Sequence, residues 1–215
     1  MTLDMKAKVL PSMFIPQKPD DFIGDAAGLA HTLHRKATSL AAGGSGVMRV
    51  LIYGAPGIGK TRLAQMVAGC LTKHRLEIEE INGRDLTIDV VRKWRASAIY
   101  NGLTVWGGWT VKLVNELDTA TQQAQDLLLS WFDEMPTCTA FIGTSNVNIA
   151  AMDVRFQTRL QHWPLKNPTT EQIADFIARK WKVKPKIAAD IAFGSGGNVR
   201  AALLDAESYL DTQAA

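Results

Sequence analysis

Val50-Leu51-Ile52-Tyr53-Gly54-Ala55-Pro56-Gly57-Ile58-Gly59-Lys60-Thr61-Arg62-Leu63-Ala64-Gln65-Met66-Val67-Ala68 is the stretch from which this chain is read. Residues 50–53 form an apolar run of strand character and residues 62–68 read as a helix. Between them, Gly54 to Thr61 fills every fixed position of the G-x-x-x-x-G-K-[ST] phosphate-binding loop. An ordinary glycine-rich turn would need neither flank. The glycines let backbone N–H groups of the loop point at phosphate oxygens: Ala55, Gly57, Ile58, Gly59 and, entering the helix, Lys60, Thr61 and Arg62 carry such groups, while Pro56 lies in the loop without an N–H to donate. Lys60 adds a compact positive charge near the terminal phosphates, and the Thr61 hydroxyl is placed to ligate magnesium. The pattern implies binding of a nucleoside triphosphate.

The chain has 215 residues, enough for one large α/β domain with a small appendix. Apolar residues make up 47% and charged residues 21%, as in an ordinary globular protein. No segment approaches the ~18 uncharged apolar residues of a membrane span. Met1 to Ser12 carries two lysines and no apolar signal core, so the expectation is an intracellular protein, cytoplasmic or, in a eukaryote, nuclear. Cys70 and Cys138 lack metal-ligand spacing and sit among apolar residues, which predicts buried thiols. A net charge of +3 is too small for a whole-molecule field to argue for nucleic acid, so local patches must carry that case.

Upstream, Pro16 to Gly24 reads as a proline-punctuated extended segment. A helix is predicted from about Asp25 to Ala41, capped by Asp25, with Ala26, Leu29, Leu33 and Leu40 as its apolar face. Gly43 to Gly46 ends it before a strand at Val47–Tyr53. Downstream, Leu76 to Asn82 alternates and predicts a strand, and Asp85 or Thr87 is placed to cap the next helix. The basic cluster Arg92-Lys93-Trp94-Arg95 on that helix has two readings, a solvated face or a contact with a phosphate backbone. Residues 101–108 read as a hairpin or exposed loop. There Trp106 and Trp109 serve either as a stacking surface or as a cap on the sheet edge.

A strand over Trp109–Val114 leads into Asn115-Glu116-Leu117-Asp118. In a phosphate-loop ATPase an aspartate usually ends this strand and helps hold magnesium, and the next acid polarises the attacking water. Here Asn115 stands in the first place and Glu116 in the second. The alternative is that the acids only serve the N-terminus of the helix over Ala120–Phe132. Cys138 to Asn146 is an apolar strand ending in small polar residues that can bond water or a γ-phosphate, or simply begin a turn. Arg155 and Arg159, four apart, share a face if helical, as a basic patch or as an arginine finger for a neighbouring subunit. Three short helices follow, Thr170–Trp181, Lys184–Phe193 and Asn198–Asp211. Residues 165–186 hold six basic residues against two acids, a phosphate-facing surface or solubilising charge. Arg200 lies in the first turn of the last helix, where a cation is better explained by an anionic partner.

In this order the pieces resemble the AAA+ ATPases, and within them the clamp loaders, particularly the small subunits of replication factor C. The matching segments are Asp20 to Gly24, the phosphate loop, Glu80 to Asp85 with Ile88 to Arg92, Asn115 to Asp118 with Ala124-Gln125, Gly143 to Asn146, Thr158-Arg159, and Gly197 to Leu203. The resemblance implies an α/β core of parallel sheet flanked by helices over residues 1–164 and a small helical lid over 165–215. It implies ATP and Mg2+ as cofactors, with Ile23 and Gly24 near the adenine and residues 55–62 around the phosphates. Thr61 and Asn115 would face the metal. Glu116 would be the catalytic base, Asn146 the first sensor, Arg159 the finger in trans with Arg155 as second candidate, and Arg200 the second sensor. The implied function is ATP hydrolysis by a clamp-loader-like subunit in DNA replication or repair, self-assembled or joined with related subunits. Arg92 is the possible DNA contact, and a sliding clamp or a helicase the client. Its alternatives are a helicase loader or other DNA-remodelling ATPase, and a weakly hydrolysing regulatory subunit.

Two departures carry expectations. Asn115 is a poorer partner for magnesium than a carboxylate, which predicts slow turnover that Asn115→Asp would raise. The sequence also stops just after the last lid helix, where resembling clamp-loader subunits continue into a helical collar. Assembly is therefore expected to rest on ATPase-domain contacts or on another protein.

Overall fold

The computed structural model describes residues 10–43, 45–72, 75–98 and 108–214. It is an α/β fold built on a five-stranded, all-parallel sheet with the order β2-β3-β4-β1-β5. The strands are β1 (Val47–Gly54), β2 (Ile78–Asn82), β3 (Thr110–Asn115), β4 (Thr139–Ser145) and β5 (Gln161–Leu165). The core helices are α1 (Asp25–Gly43), α2 (Lys60–Leu71), α3 (Ile88–Ala98), α4 (Gln122–Asp133) and α5 (Val154–Arg159), followed by α6 (Thr170–Trp181), α7 (Pro185–Gly194) and α8 (Val199–Ala214).

Alternation along the central strands explains both layers, since successive side chains leave a strand on opposite faces. Val50 and Ile52 of β1, Val111 and Leu113 of β3, and Ala140 and Ile142 of β4 pack with α1 and α2. Leu51, Val114 and Phe141 face the other way, toward Trp94, Leu128, Trp131, Phe132 and Phe156 of α3, α4 and α5. In this second layer the Phe132 ring meets Phe141 edge-on at 4.7 Å and Phe156 at 6.3 Å. Phe132→Ala removes a ring that touches strand and helix at once, so it is expected to cost about 3–5 kcal/mol, read as a lower midpoint in urea unfolding.

A third apolar cluster lies in α6, α7 and α8, around Ile173, Phe176, Ile177, Trp181, Ala188 and Ala202. The N-terminal segment ties it to the sheet layers. Phe22 packs with α1 and α2, whereas Phe14 sits 5.9 Å from Phe176 and 5.7 Å from Trp181, with the Lys180 ammonium 4.2 Å from its ring centre. The Ser12 N–H also donates to Glu207 of α8 at 2.9 Å.

Several local expectations change. Asp25 is the first helical residue of α1 and not its cap. Leu76 lies in a 3-10 turn and is 98% exposed, so β2 starts at Ile78. Thr87, not Asp85, caps α3 by accepting from the Val90 N–H at 3.3 Å. Cys70 and Cys138 are half-buried and not in disulfides, and partial burial pushes the Cys70 thiol up. Trp109 is buried in the first apolar layer beside Gly46, so it offers no stacking face. It precedes β3, an interior strand, and thus closes an end of the sheet and not its lateral edge. Trp106 and the loop over 101–107 lie outside the described residues.

β5 has no counterpart in the sequence reading. Among the described residues it pairs only with β1, placing Pro164 opposite Tyr53, and as an edge strand it tolerates a proline that an inner strand would exclude. Leu165, the first residue of the expected lid, is the last residue of β5 and is buried in the first layer.

Candidate nucleotide site

The site gathers at the C-terminal ends of β1, β3 and β4, the end of a parallel sheet where ligands bind. The chain leaves β1 at Gly54 and turns through Gly57, with φ of 80°, and Gly59, with φ of 99°, into α2. Gly57 has a second reason to lack a side chain. A Cβ there would come within 2.1 Å of Asn198 Oδ1, because the start of α8 rests on the loop. The Arg200 N–H donates to the Gly57 carbonyl at 3.1 Å, and Asn198 Oδ1 accepts from the Ala201 N–H at 3.1 Å. Residue type does not state this contact between loop and last helix, though the left-handed glycines Gly196 and Gly197 just before Asn198 mark the turn that allows it.

Lys60 is buried, 7% exposed. Its ammonium donates to the carbonyls of Gly54 at 2.9 Å and Ala55 at 2.7 Å, and to Asn146 Oδ1 at 2.9 Å. Asn146 uses its other amide atom as well, Nδ2 donating to Glu116 Oε1 at 3.3 Å, while its backbone N–H donates to Asp118 Oδ1 at 3.0 Å. Three strand ends are thereby tied together through one asparagine. The acids do not cap the following helix, since Thr121 does so through the Ala124 N–H at 3.3 Å. Glu116 adopts a left-handed backbone, φ 54° and ψ 50°, a conformation costing a non-glycine residue about 1–2 kcal/mol. Its N–H donates to Thr144 Oγ1 at 3.1 Å and its carbonyl accepts from the Thr119 hydroxyl at 2.8 Å. Such strain persists where surroundings over-determine it, as at functional sites.

Burial lowers the Lys60 ammonium below the ordinary lysine range, with Asp118 and Glu116 pulling it back up and Arg200 pushing it down. A bound phosphate favours the charged form and so raises this pKa. Affinity for ADP is therefore expected to be full below the free-protein pKa of Lys60 and to fall as pH rises through the alkaline range. Calorimetry of ADP binding at alkaline pH in two buffers of different ionisation enthalpy should register proton uptake.

A cavity of about 300 Å³ adjoins the loop. Ile23, Gly57, Ile58, Gly59, Arg62 and Arg200 are on its wall, with Phe22 and Phe176 among the apolar groups. Gly24, Ala55 and Pro56 are not, although the Ala55 carbonyl holds Lys60. The exposed Arg62 donates to Gln65 Oε1 at 3.0 Å.

For magnesium the available donors fit. The Thr61 hydroxyl in the first turn of α2 and Asn115 Oδ1 at the end of β3 are hard oxygens of the kind this ion takes alongside phosphate. Among the described residues no three His, Cys, Asp or Glu side chains are grouped to hold a metal by themselves. Bound with a nucleotide, the ion would neutralise phosphate charge.

The two arginines of α5 are engaged within the chain. Arg159 grips Asp133 with both arms of its fork, Nε to Oδ1 at 3.0 Å and Nη2 to Oδ2 at 2.9 Å, which holds the Asp133 carboxyl down. Arg155 binds Asp153 and Asp126, each at 2.5 Å through Nη2, and the Asp153 carboxyl is pulled down to about 2. Arg92 on α3 is exposed and pairs with Asp89 at 3.2 Å. Among the described residues no helix is long and apolar enough to cross a membrane.

Residues 50–162 match the family model described as the ATPase family associated with various cellular activities, AAA. No curated protein sequence matches the chain. Among solved structures it is similar to the Thermotoga maritima RuvB Holliday junction branch migration motor, with 22% identity and a TM-score of 0.72, covering 92% of this chain and 65% of that one. Two single-substitution variants of that motor match with TM-scores of 0.73 and 0.71 at the same identity and coverage. A likeness at this identity is one of fold, and the chain spans 65% of the length of those structures.

Proposed function

The chain belongs to the AAA family of ATPases, whose model matches more than half of it, and from that premise we propose that it is an ATP-hydrolysing subunit of a DNA-remodelling assembly. The observation that carries the reading is Asn146, which joins the phosphate-loop Lys60 to Glu116 and so links phosphate contact to the candidate base. Glu116 takes the proton of the attacking water. Asn146 and Arg200 sense the γ-phosphate, the latter from a lid formed by α6, α7 and α8. Because the first turn of α8 bonds to Gly57, a change in the loop on nucleotide exchange is passed to the lid as a rigid-body shift.

Copies of the chain or related subunits assemble so that Arg159 of one reaches the nucleotide of the next. Arg92, exposed on α3, faces the DNA backbone. Within this reading the clamp-loader resemblance supports a sliding clamp as client. The second reading, a motor or helicase loader acting on the DNA structure itself, is favoured by the fold likeness to a branch migration motor. Turnover measured with primed duplex, with a four-way junction and with a sliding clamp added to primed duplex separates them. Stimulation that requires the clamp supports the first reading, and stimulation by the junction alone supports the second. Turnover indifferent to all three would overturn the DNA role.

A further inference from the structure

We infer that Glu80 is the acid of this chain's magnesium centre, supplying through the Asn115 amide the negative charge that Asn115 itself lacks. The inference rests on the nucleotide-site reading above. It begins with register: β2 pairs with β3 so that Asn82 lies opposite Asn115, which puts Glu80, two residues earlier, on the same face of the sheet. Asn115 Nδ2 donates to Glu80 Oε1 at 2.7 Å. A carboxylate only accepts, so the amide's NH2 must turn to Glu80 and its Oδ1 must turn away. That oxygen meets the Thr144 hydroxyl at 3.4 Å, and the same hydroxyl accepts the Glu116 N–H at 3.1 Å. Glu80 thus fixes which atom of Asn115 is offered toward the strand ends where Glu116 and Lys60 lie.

The second anchor comes from the helix that carries Thr61. Gln65, one turn on, donates Nε2 to Glu80 Oε1 at 2.9 Å and Oε2 at 3.1 Å, so the carboxylate is tied to both elements that bear the metal-facing residues. Its bonded partners among the described residues are neutral amides and not cations. Its charge is therefore left to attract a divalent ion arriving with the phosphates. A hydrogen bond from an amide to an anion polarises the amide and makes its oxygen a better acceptor. Glu80 is on these grounds a positioning residue for the metal.

The geometry also revises the expectation for Asn115→Asp. Alone, it would set a second carboxylate where the amide now lies 2.7 Å from Glu80, and the two like charges would repel. Combined with Glu80→Gln it swaps the amide and the acid between the two positions and keeps a single charge.

The test is Mn2+ binding, followed by the electron paramagnetic resonance of the free ion, to the full chain saturated with ADP, where no turnover occurs. Glu80→Gln keeps one oxygen to accept from Asn115 and Gln65 while removing the charge and the second acceptor, and is expected to weaken Mn2+ binding about tenfold. Glu80→Gln with Asn115→Asp is expected to restore it. ADP affinity in EDTA should be equal in all three proteins. Mn2+ affinity within twofold of wild type in Glu80→Gln would overturn the inference, as would a loss that the double variant fails to rescue, which would make Glu80 merely structural. No ADP binding by the wild-type chain in EDTA would overturn the nucleotide reading and this inference with it.

Discussion

Glu116→Gln is expected to lower kcat for ATP hydrolysis by about a hundredfold to ten-thousandfold while leaving ATP affinity nearly unchanged. The range is that of losing a positioned general base. Binding should survive because Glu116 does not line the cavity, and because Lys60 is held by two loop carbonyls that the substitution leaves in place. Glutamine keeps an oxygen that can accept from Asn146 Nδ2, now 3.3 Å from Glu116 Oε1, so the network stays closed and only proton acceptance is lost. Fluorescent-nucleotide titration beside steady-state turnover checks both halves. A fall in affinity that matches the fall in kcat/KM would instead make Glu116 a binding group.

Arg159→Ala carries the other large effect, a loss of about a thousandfold or more in turnover, the scale on which arginine fingers act. What sets it apart from Glu116→Gln is that the deficit can be complemented. In a head-to-tail assembly, a subunit with Arg159→Ala still brings Glu116, and a subunit with Glu116→Gln still brings Arg159. Mixing the two inactive proteins should restore activity at about a quarter of interfaces under random association. The variant should fold, because its lost partner is an ion pair with the exposed Asp133, of a kind that contributes little. Normal turnover by Arg159→Ala, with a loss on Arg155→Ala, would move the finger to Arg155. That residue must leave two acids, Asp126 and Asp153, to act.

What could be read beforehand follows from how local each signal is. The phosphate loop, its strand and its helix were legible because the three are contiguous and each restricts the next. Thr87 was one of two possible caps, and the backbone geometry that decides between it and Asp85 is not written in residue type. β5 is hard to read in Gln161-His162-Trp163-Pro164-Leu165 because its apolar alternation is only Trp163 and Leu165 with a proline between them, and its place at the sheet edge makes it a strand. Trp109 beside glycines reads equally as a stacking surface or as a cap on the sheet edge, and only the fold turns it inward beside Gly46. At the site, residue type and motif mark Glu116, Asn146 and Lys60 only one at a time. That one asparagine joins them depends on β1, β3 and β4 being neighbours in an order the sequence does not state. The Glu80–Asn115 contact depends on strand register in the same way, and residue type alone does not state it.

Whether turnover belongs to an interface between subunits decides most directly between a shared and a self-contained site. The measurement is steady-state ATP hydrolysis per chain across a wide range of protein concentration, with and without primed DNA. Specific activity is expected to rise with concentration to a plateau, at lower concentration when DNA is present. Specific activity that is constant from the most dilute sample upward would contradict a shared site, because a lone chain would then be complete in itself and Arg159 would have no nucleotide to reach.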